Sequence, residues 1–176
     1  MGGIGIAVEQ LDPTGAFTQT GFYYQNNSLV ADAYDGDNHN MRGGEGTATW
    51  TFDNLEEGEY QVAATWAHKY GNRYNAPAAP FAIEDGSGAV LASVTVDQRN
   101  SPSEFAYHGY SWDTLGTVNV TDGALLVELT EAAGNYYVVA DAVRIERLLP
   151  SARAAEASAT QRVPFTTDGD RSFGGN

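Results

Sequence analysis

The sequence predicts an all-β domain, a jelly-roll-like β-sandwich, and three observations carry that expectation. Apolar and polar residues alternate over short runs, the period of a half-buried strand. Turn-forming clusters of Gly, Asn and Asp separate those runs. The chain holds 20 Gly and 10 Tyr in 176 residues and only 18% charged side chains, a balance that suits many short strands and tight turns. That length builds one core comfortably and two only poorly.

The strands can be justified in order. Residues 21–44 are polar, aromatic and rich in Asn, Asp and Gly, and are expected to form a long functional loop. In Thr47–Phe52, Ala48, Trp50 and Phe52 share one face and three threonines share the other. Tyr60, Val62, Ala64 and Trp66 repeat the pattern, with Gln61 and Thr65 opposite. Trp50 and Trp66 are therefore assigned to the core. Further strands are expected at 81–84, 91–97, 115–120 and 125–130, and a single long one at 136–146. The turns between them are Glu57-Gly58, Asp85-Gly86-Ser87-Gly88, Asp122-Gly123 and Gly134-Asn135. Pro150 marks a junction. Beyond it, 150–176 is expected to be a linker or docking tail, irregular or with a short helix at 152–162, whereas 1–149 forms the sandwich.

Charge narrows the partners. Lys plus Arg number nine against 23 Asp plus Glu, a net −14, and 20 of those acids with six of the cations lie in residues 1–149. Such a surface repels phosphate backbones and anionic headgroups, which excludes nucleic acid as a partner. No run approaches the ~18 apolar residues of a spanning helix, so membrane insertion is not expected. The absence of Cys rules out disulfides, thiolate metal sites and Cys nucleophiles. The opening residues lack the basic and apolar regions of a signal peptide.

One set of motifs is specific. Asn72-Arg73-Tyr74-Asn75-Ala76-Pro77 follows a strand ending in Trp66; Val96-Asp97-Gln98, Trp112-Asp113-Thr114-Leu115-Gly116 and Ala140-Asp141-Ala142-Val143-Arg144 come next. This order, over about residues 10–147, resembles the golvesin C-terminal-type domain, also found at the end of xanthan-lyase-like proteins. The resemblance implies a galactose-binding-like jelly roll. It also implies an extracellular accessory module of large bacterial proteins, similar in layout to carbohydrate-binding modules. The loop at 34–44 is longer and more acidic than the family pattern, and the tail lies outside it.

Catalytic chemistry finds little support. There is no G-x-S-x-G, and Ser103, His108 and Asp113 form a triad only on paper. Glu56, Glu57 and Glu59 crowd one turn rather than face each other as glycosidase chemistry requires. The chain is therefore expected not to be an enzyme. No cofactor is required, and a structural calcium is the only one the residues invite. Asp35 and Asp37 sit in an acidic loop of hard oxygen ligands. As an EF-hand it fails, because the twelfth position from Asp35 is Gly46. Asp141 shares parity with Val139 and Val143, so it is expected to be buried and paired with Arg73 or Arg99, or to be a second metal candidate, as the layout of jelly-roll carbohydrate modules with a structural calcium near the last strand implies. Sugar rings stack on Tyr and Trp faces, and planar amides and guanidinium groups bind their hydroxyls. Tyr70, Asn72, Arg73, Tyr74, Asn75, Tyr110 and Trp112 are the expected ligand contacts, although the Asn-Arg-x-x-Asn-Ala-Pro run also reads as a structural corner.

The function expected is a non-catalytic module, secreted or at the cell surface as part of a longer precursor, that binds polysaccharide or matrix through loop aromatics. The alternative is a structural or assembly subunit that self-associates by lending residues 150–176 to a neighbouring chain; deleting them would dissolve such oligomers and spare sugar binding.

Overall fold

A computed structural model of the chain describes residues 7–10, 17–25, 32–68 and 74–149, with backbone alone at 7–10. The expected tail helix lies outside them. The described strands, in chain order, are β1 (Ala7–Gln10), β2 (Phe17–Thr20), β3 (Tyr23–Gln25), β4 (Asn38–Arg42), β5 (Thr47–Phe52), β6 (Gly58–Thr65), β7 (Ala79–Asp85), β8 (Val90–Val96), β9 (Phe105–Tyr107), β10 (Tyr110–Val120), β11 (Leu125–Thr130), β12 (Tyr137–Ala140) and β13 (Ala142–Leu148). A single 3-10 turn, Tyr34–Gly36, is the only helical piece among them.

Two five-stranded sheets, β1-β13-β6-β10-β9 and β2-β5-β11-β7-β8, form the sandwich, and a small third sheet, β12-β4-β3, adjoins them. All ladders between these strands are antiparallel. The core lies between the large sheets. Trp50 and Phe52 of β5, Ile83 of β7 and Leu125, Val127 and Leu129 of β11 meet Val62 of β6 and Val143 and Ile145 of β13. Burying side chains of this size at about 1.5–3 kcal/mol each drives the two sheets together. The alternation read for Thr47–Phe52 is reproduced residue by residue, and Trp66 is buried as expected.

Three expectations are corrected. The long loop at 21–44 contains β3, the 3-10 turn and β4. Its strand Asn-His-Asn-Met-Arg lacks an apolar period, so it is recognised only by its partners β12 and β3. Gly21 closes the turn before β3 with φ +72°, and a Cβ there would stand 2.5 Å from the Glu45 carbonyl. The single strand expected at 136–146 is two strands in different sheets, β12 and β13, with Asp141 at the switch. Parity does not run through such a switch. Finally, β10 begins at Tyr110 rather than 115 and carries a bulge between Thr114 and Gly116. The extra residue flips the alternation. Leu115, Val118 and Val120 join the main core, whereas Trp112 packs on the opposite face of the first sheet.

Candidate functional site

The outer face of the first sheet carries a second aromatic cluster. Tyr34, Ala63, Trp112 and Ala142 are buried there, with Phe105, Tyr107 and Tyr110 packed around them. The cluster covers β6, which is why Ala63 and Thr65 are buried on the side expected to face water. The Tyr34 ring lies 4.5 Å from Tyr110 and 5.7 Å from Trp112. Arg144, itself buried, lays its guanidinium 4.4 Å over Tyr107 and pairs with Glu146 at 2.5 Å. Neither sequence parity nor motif identified Arg144 as part of this platform.

A groove of about 320 Å³ runs along this cluster, lined by Asp32, Thr65, Trp66, Ser101, Pro102, Gly109, Tyr110 and Ser111. Tyr110 is held on two sides: its ring rests on Tyr34, and its hydroxyl accepts the Asp35 backbone N–H at 3.3 Å. Asp32 accepts the His68 backbone N–H at 3.0 Å. Trp66 donates its indole N–H to the Asn100 carbonyl at 2.8 Å, which ties the 97–102 loop to the end of β6. The groove therefore offers one fixed ring beside hydroxyl and carboxylate acceptors, the combination that orients a polyhydroxylated ring. Asp32, Ser101 and Ser111 are not legible as sugar contacts in the sequence: the first two are loop residues without periodicity, and Ser111 of β10 belongs to no motif that points to a sugar.

The other expected ligand residues are distributed differently. Tyr70, Asn72 and Arg73 lie outside the described residues. Tyr74 is exposed, 5.8 Å from the Arg42 guanidinium, which also lies 5.0 Å over Tyr137. Trp112 is 0% exposed and donates its indole N–H to the Tyr107 carbonyl at 3.3 Å, so it presents no face to a ligand. Asn75 is buried too. Its amide donates to the Ala67 carbonyl at 3.2 Å and the Gln98 carbonyl at 3.0 Å. Gln98 then exchanges two hydrogen bonds with the backbone of Val139, at 2.8 and 2.9 Å. The Asn-Ala-Pro corner and the Val-Asp-Gln segment are thus joined to β12 by two buried amides, and the corner reading accounts for Asn75.

Asp141 is not paired with Arg99, whose guanidinium is held at 2.6 and 2.7 Å by Asp97. Both carboxylate oxygens of Asp141 accept the Tyr34 backbone N–H, at 3.1 and 3.3 Å, and the Ala67 backbone supplies another hydrogen bond. Burial pushes this carboxyl well above the ordinary value of 3.8, Asp37 and Asp32 push it further, and the backbone donors only partly oppose them. No three His, Asp or Glu side chains among the described residues come close enough to hold a metal ion. Asp37 is a hydrogen-bond acceptor for the Tyr24 hydroxyl at 3.0 Å, and Asp35 is exposed. Asp141 anchors the 3-10 turn that supports Tyr110.

This has a pH consequence. A carboxyl with a raised folded-state value binds its proton more tightly folded than unfolded, so its contribution is full below about pH 3.8 and is lost as pH rises through the folded value. Urea melts at stepped pH are expected to show wild-type stability declining above pH 4 relative to Asp141→Asn, which lacks the titration. Parallel pH profiles for the two proteins would refute this assignment.

Comparison with known proteins places the fold. Among solved structures, the family 35 carbohydrate-binding module of Abf62 from Cellvibrio japonicus is similar, with TM-score 0.56 and 14% identity over 80% of this chain and 92% of that one. A family 35 carbohydrate-binding module from Clostridium thermocellum gives TM-score 0.52 and 12% identity over 80% and 97%. The Podospora anserina GH26-CBM35 β-(1,4)-mannanase gives 0.55 and 14% over 83% of this chain and 28% of that enzyme. These likenesses establish a shared jelly-roll sandwich. Comparison with curated proteins finds no match. The golvesin C-terminal domain family matches residues 6–147, which takes in both large sheets, the corner built on Asn75 and Gln98, and Asp141 at the switch, and the chain belongs to that family.

Proposed function

We propose that this chain is a non-catalytic, exported accessory module that binds polysaccharide in the groove beside Tyr110, as part of a larger protein. The observation that carries this reading is the fixed Tyr110 ring, packed against Tyr34 and flanked by Asp32, Ser101 and Ser111 on a rigid sheet. Membership of the golvesin C-terminal family and the shared fold with family 35 carbohydrate-binding modules support the same reading. Binding on a preformed scaffold loses little ordering entropy, so a shallow groove suffices for a repeating polymer.

Affinity electrophoresis against a panel of neutral and acidic polysaccharides tests it. At least one glycan is expected to retard the chain. Tyr110→Ala is expected to weaken that retardation about tenfold, the scale of one ring contact. Tyr23→Ala, at an exposed tyrosine that does not line the groove, is expected to leave it unchanged. Retention of affinity by Tyr110→Ala would move the site elsewhere, and retardation by no glycan would remove the function.

A further inference from the structure

The second sheet carries a groove of its own, of about 360 Å³, on its outer face. Strand parity places the side chains that line it. Pro80 and Ala82 of β7, Ser93 and Thr95 of β8, and Glu128 and Thr130 of β11 point outward, because Phe81, Val94 and Leu129 between them turn into the core. The register sets the shape. Ala82 pairs with Glu128 on one side and Ser93 on the other, so its methyl group is the low point of a row that ends on the carboxylate. Pro80 and Thr95, paired with each other, rise beside that row.

The lining is mostly hydroxyl and carboxylate. Ser93, Thr95, Thr130 and Glu128 make no side-chain hydrogen bond to any described residue, and among the described residues no cation lines the groove. Burial raises the Glu128 pKa, and the neighbouring carboxylate of Glu84 raises it further; an ammonium group beside Glu128 offsets both. The apolar part is only the Pro80 ring and the Ala82 methyl. A plain alkylammonium would leave the three hydroxyls unused, and a neutral sugar would leave the carboxylate without a counter-charge. A ring bearing both an amine and hydroxyls answers each group. The hydroxyl lining also continues past the groove. Thr49 of β5 pairs with Glu128 and Thr18 of β2 with Thr49, while Thr47 pairs with Thr130 and Thr20 with Thr47. Thr18 and Thr20 are exposed, and Thr47 and Thr49 are half-buried. These two rows cross the strands in steps of about 4.8 Å, close to the length of one pyranose unit in an extended chain.

We propose that the groove at Glu128 holds the ammonium group of an amino-sugar unit, within an oligosaccharide that lies across the strands along the threonine rows toward β2. The ammonium–carboxylate hydrogen bond is charge-assisted and supplies most of the affinity. The hydroxyls of Ser93, Thr95 and Thr130 fix the ring, and the Pro80 ring meets its C–H face. The net charge of −14 attracts any polycation, so selectivity comes from one carboxylate set among fixed hydroxyls. Tyr110 belongs to the other sheet, so either site can fail without the other.

The test titrates the whole chain with a β-(1,4)-linked glucosamine tetramer at physiological ionic strength, where charges more than about 8 Å apart are largely screened. Amide chemical shifts report both the affinity and the place. Shifts are expected at Ala82, Ser93 and Glu128, and also at Thr49 and Thr18. The N-acetylated tetramer lacks the charge and spermine lacks the hydroxyls; each is expected to bind at least tenfold more weakly. Glu128→Gln, which keeps the shape of the side chain, is expected to cost the glucosamine tetramer about tenfold, the scale of a hydrogen bond to a charged group. Glu59→Gln makes the same change in net charge at an exposed acid of β6 and is expected to leave the affinity unchanged. Equal binding of spermine, or equal losses in the two variants, would reduce the effect to net charge and overturn the site. Equal binding of the acetylated tetramer, no loss in a folded Glu128→Gln variant, or no binding at millimolar tetramer would overturn it too. Shifts at Tyr110 and Ser111 in place of the groove would give the amino sugar to the first sheet instead. Shifts confined to Ala82, Ser93 and Glu128 would overturn the extension over Thr49 and Thr18.

Discussion

Trp112→Ala is expected to destabilise the domain strongly rather than to empty a binding site. The indole is fully buried under Tyr34 and donates its N–H to Tyr107. Its removal leaves a cavity beneath Tyr34 on the outer face of the first sheet, at a cost of about 3–5 kcal/mol. That is a large share of the roughly 5–15 kcal/mol a domain commands. The cost falls on the support of the groove, because Tyr110 packs at a tilt against Tyr34, whose ring meets Trp112 edge-on. Chemical denaturation should register the full loss. Glycan affinity per folded molecule, measured under conditions where the variant is folded, should change much less than in Tyr110→Ala. A Trp112→Ala protein with wild-type stability and no affinity would return Trp112 to the ligand surface.

Gln98→Leu is the second large effect. Gln98 is fully buried, and its amide both donates to the Val139 carbonyl and accepts the Val139 N–H. Leucine matches the volume approximately and satisfies neither group. Two orphaned backbone groups cost about 1–3 kcal/mol each, so a loss of about 2–5 kcal/mol is expected. Hydrogen exchange localises the damage: the Val139 amide should lose its protection, with the β5–β11 ladder far less affected. A melting curve within 1 °C of wild type would show that the buried amide does not contribute as its geometry implies.

How much of this was legible in the sequence depends on what each residue answers to. Ala48, Trp50 and Phe52 announce their face because a strand puts alternate side chains on one side and nothing interrupts β5. The same rule misplaces Trp112, since the bulge at 114–116 inserts one residue and reverses the faces on either side of it. It also misreads Asp141, because two strands of different sheets meet there without a turn motif to mark the break. β4 is polar and carries no strand period; its pairing with β12 and β3 uses backbone groups, which every sequence has. For the site, the aromatic loop content was legible and Tyr110 was among the residues chosen. Asp32 and Ser101 were not, because they reach the groove from loops distant in sequence, and Ser111, next to Tyr110 in β10, carries no signal of its own.

The sequence by itself determined the all-β class, the main core strands, the family and the net charge of −14. These follow from local periodicity, turn chemistry and composition, which need no knowledge of neighbours. Only the tertiary structure decided that Trp112, Asn75 and Gln98 are internal struts and that Asp141 holds a turn through backbone N–H groups. Burial, hydrogen-bond partners and free edges are properties of pairs of distant segments, and strand register sets them.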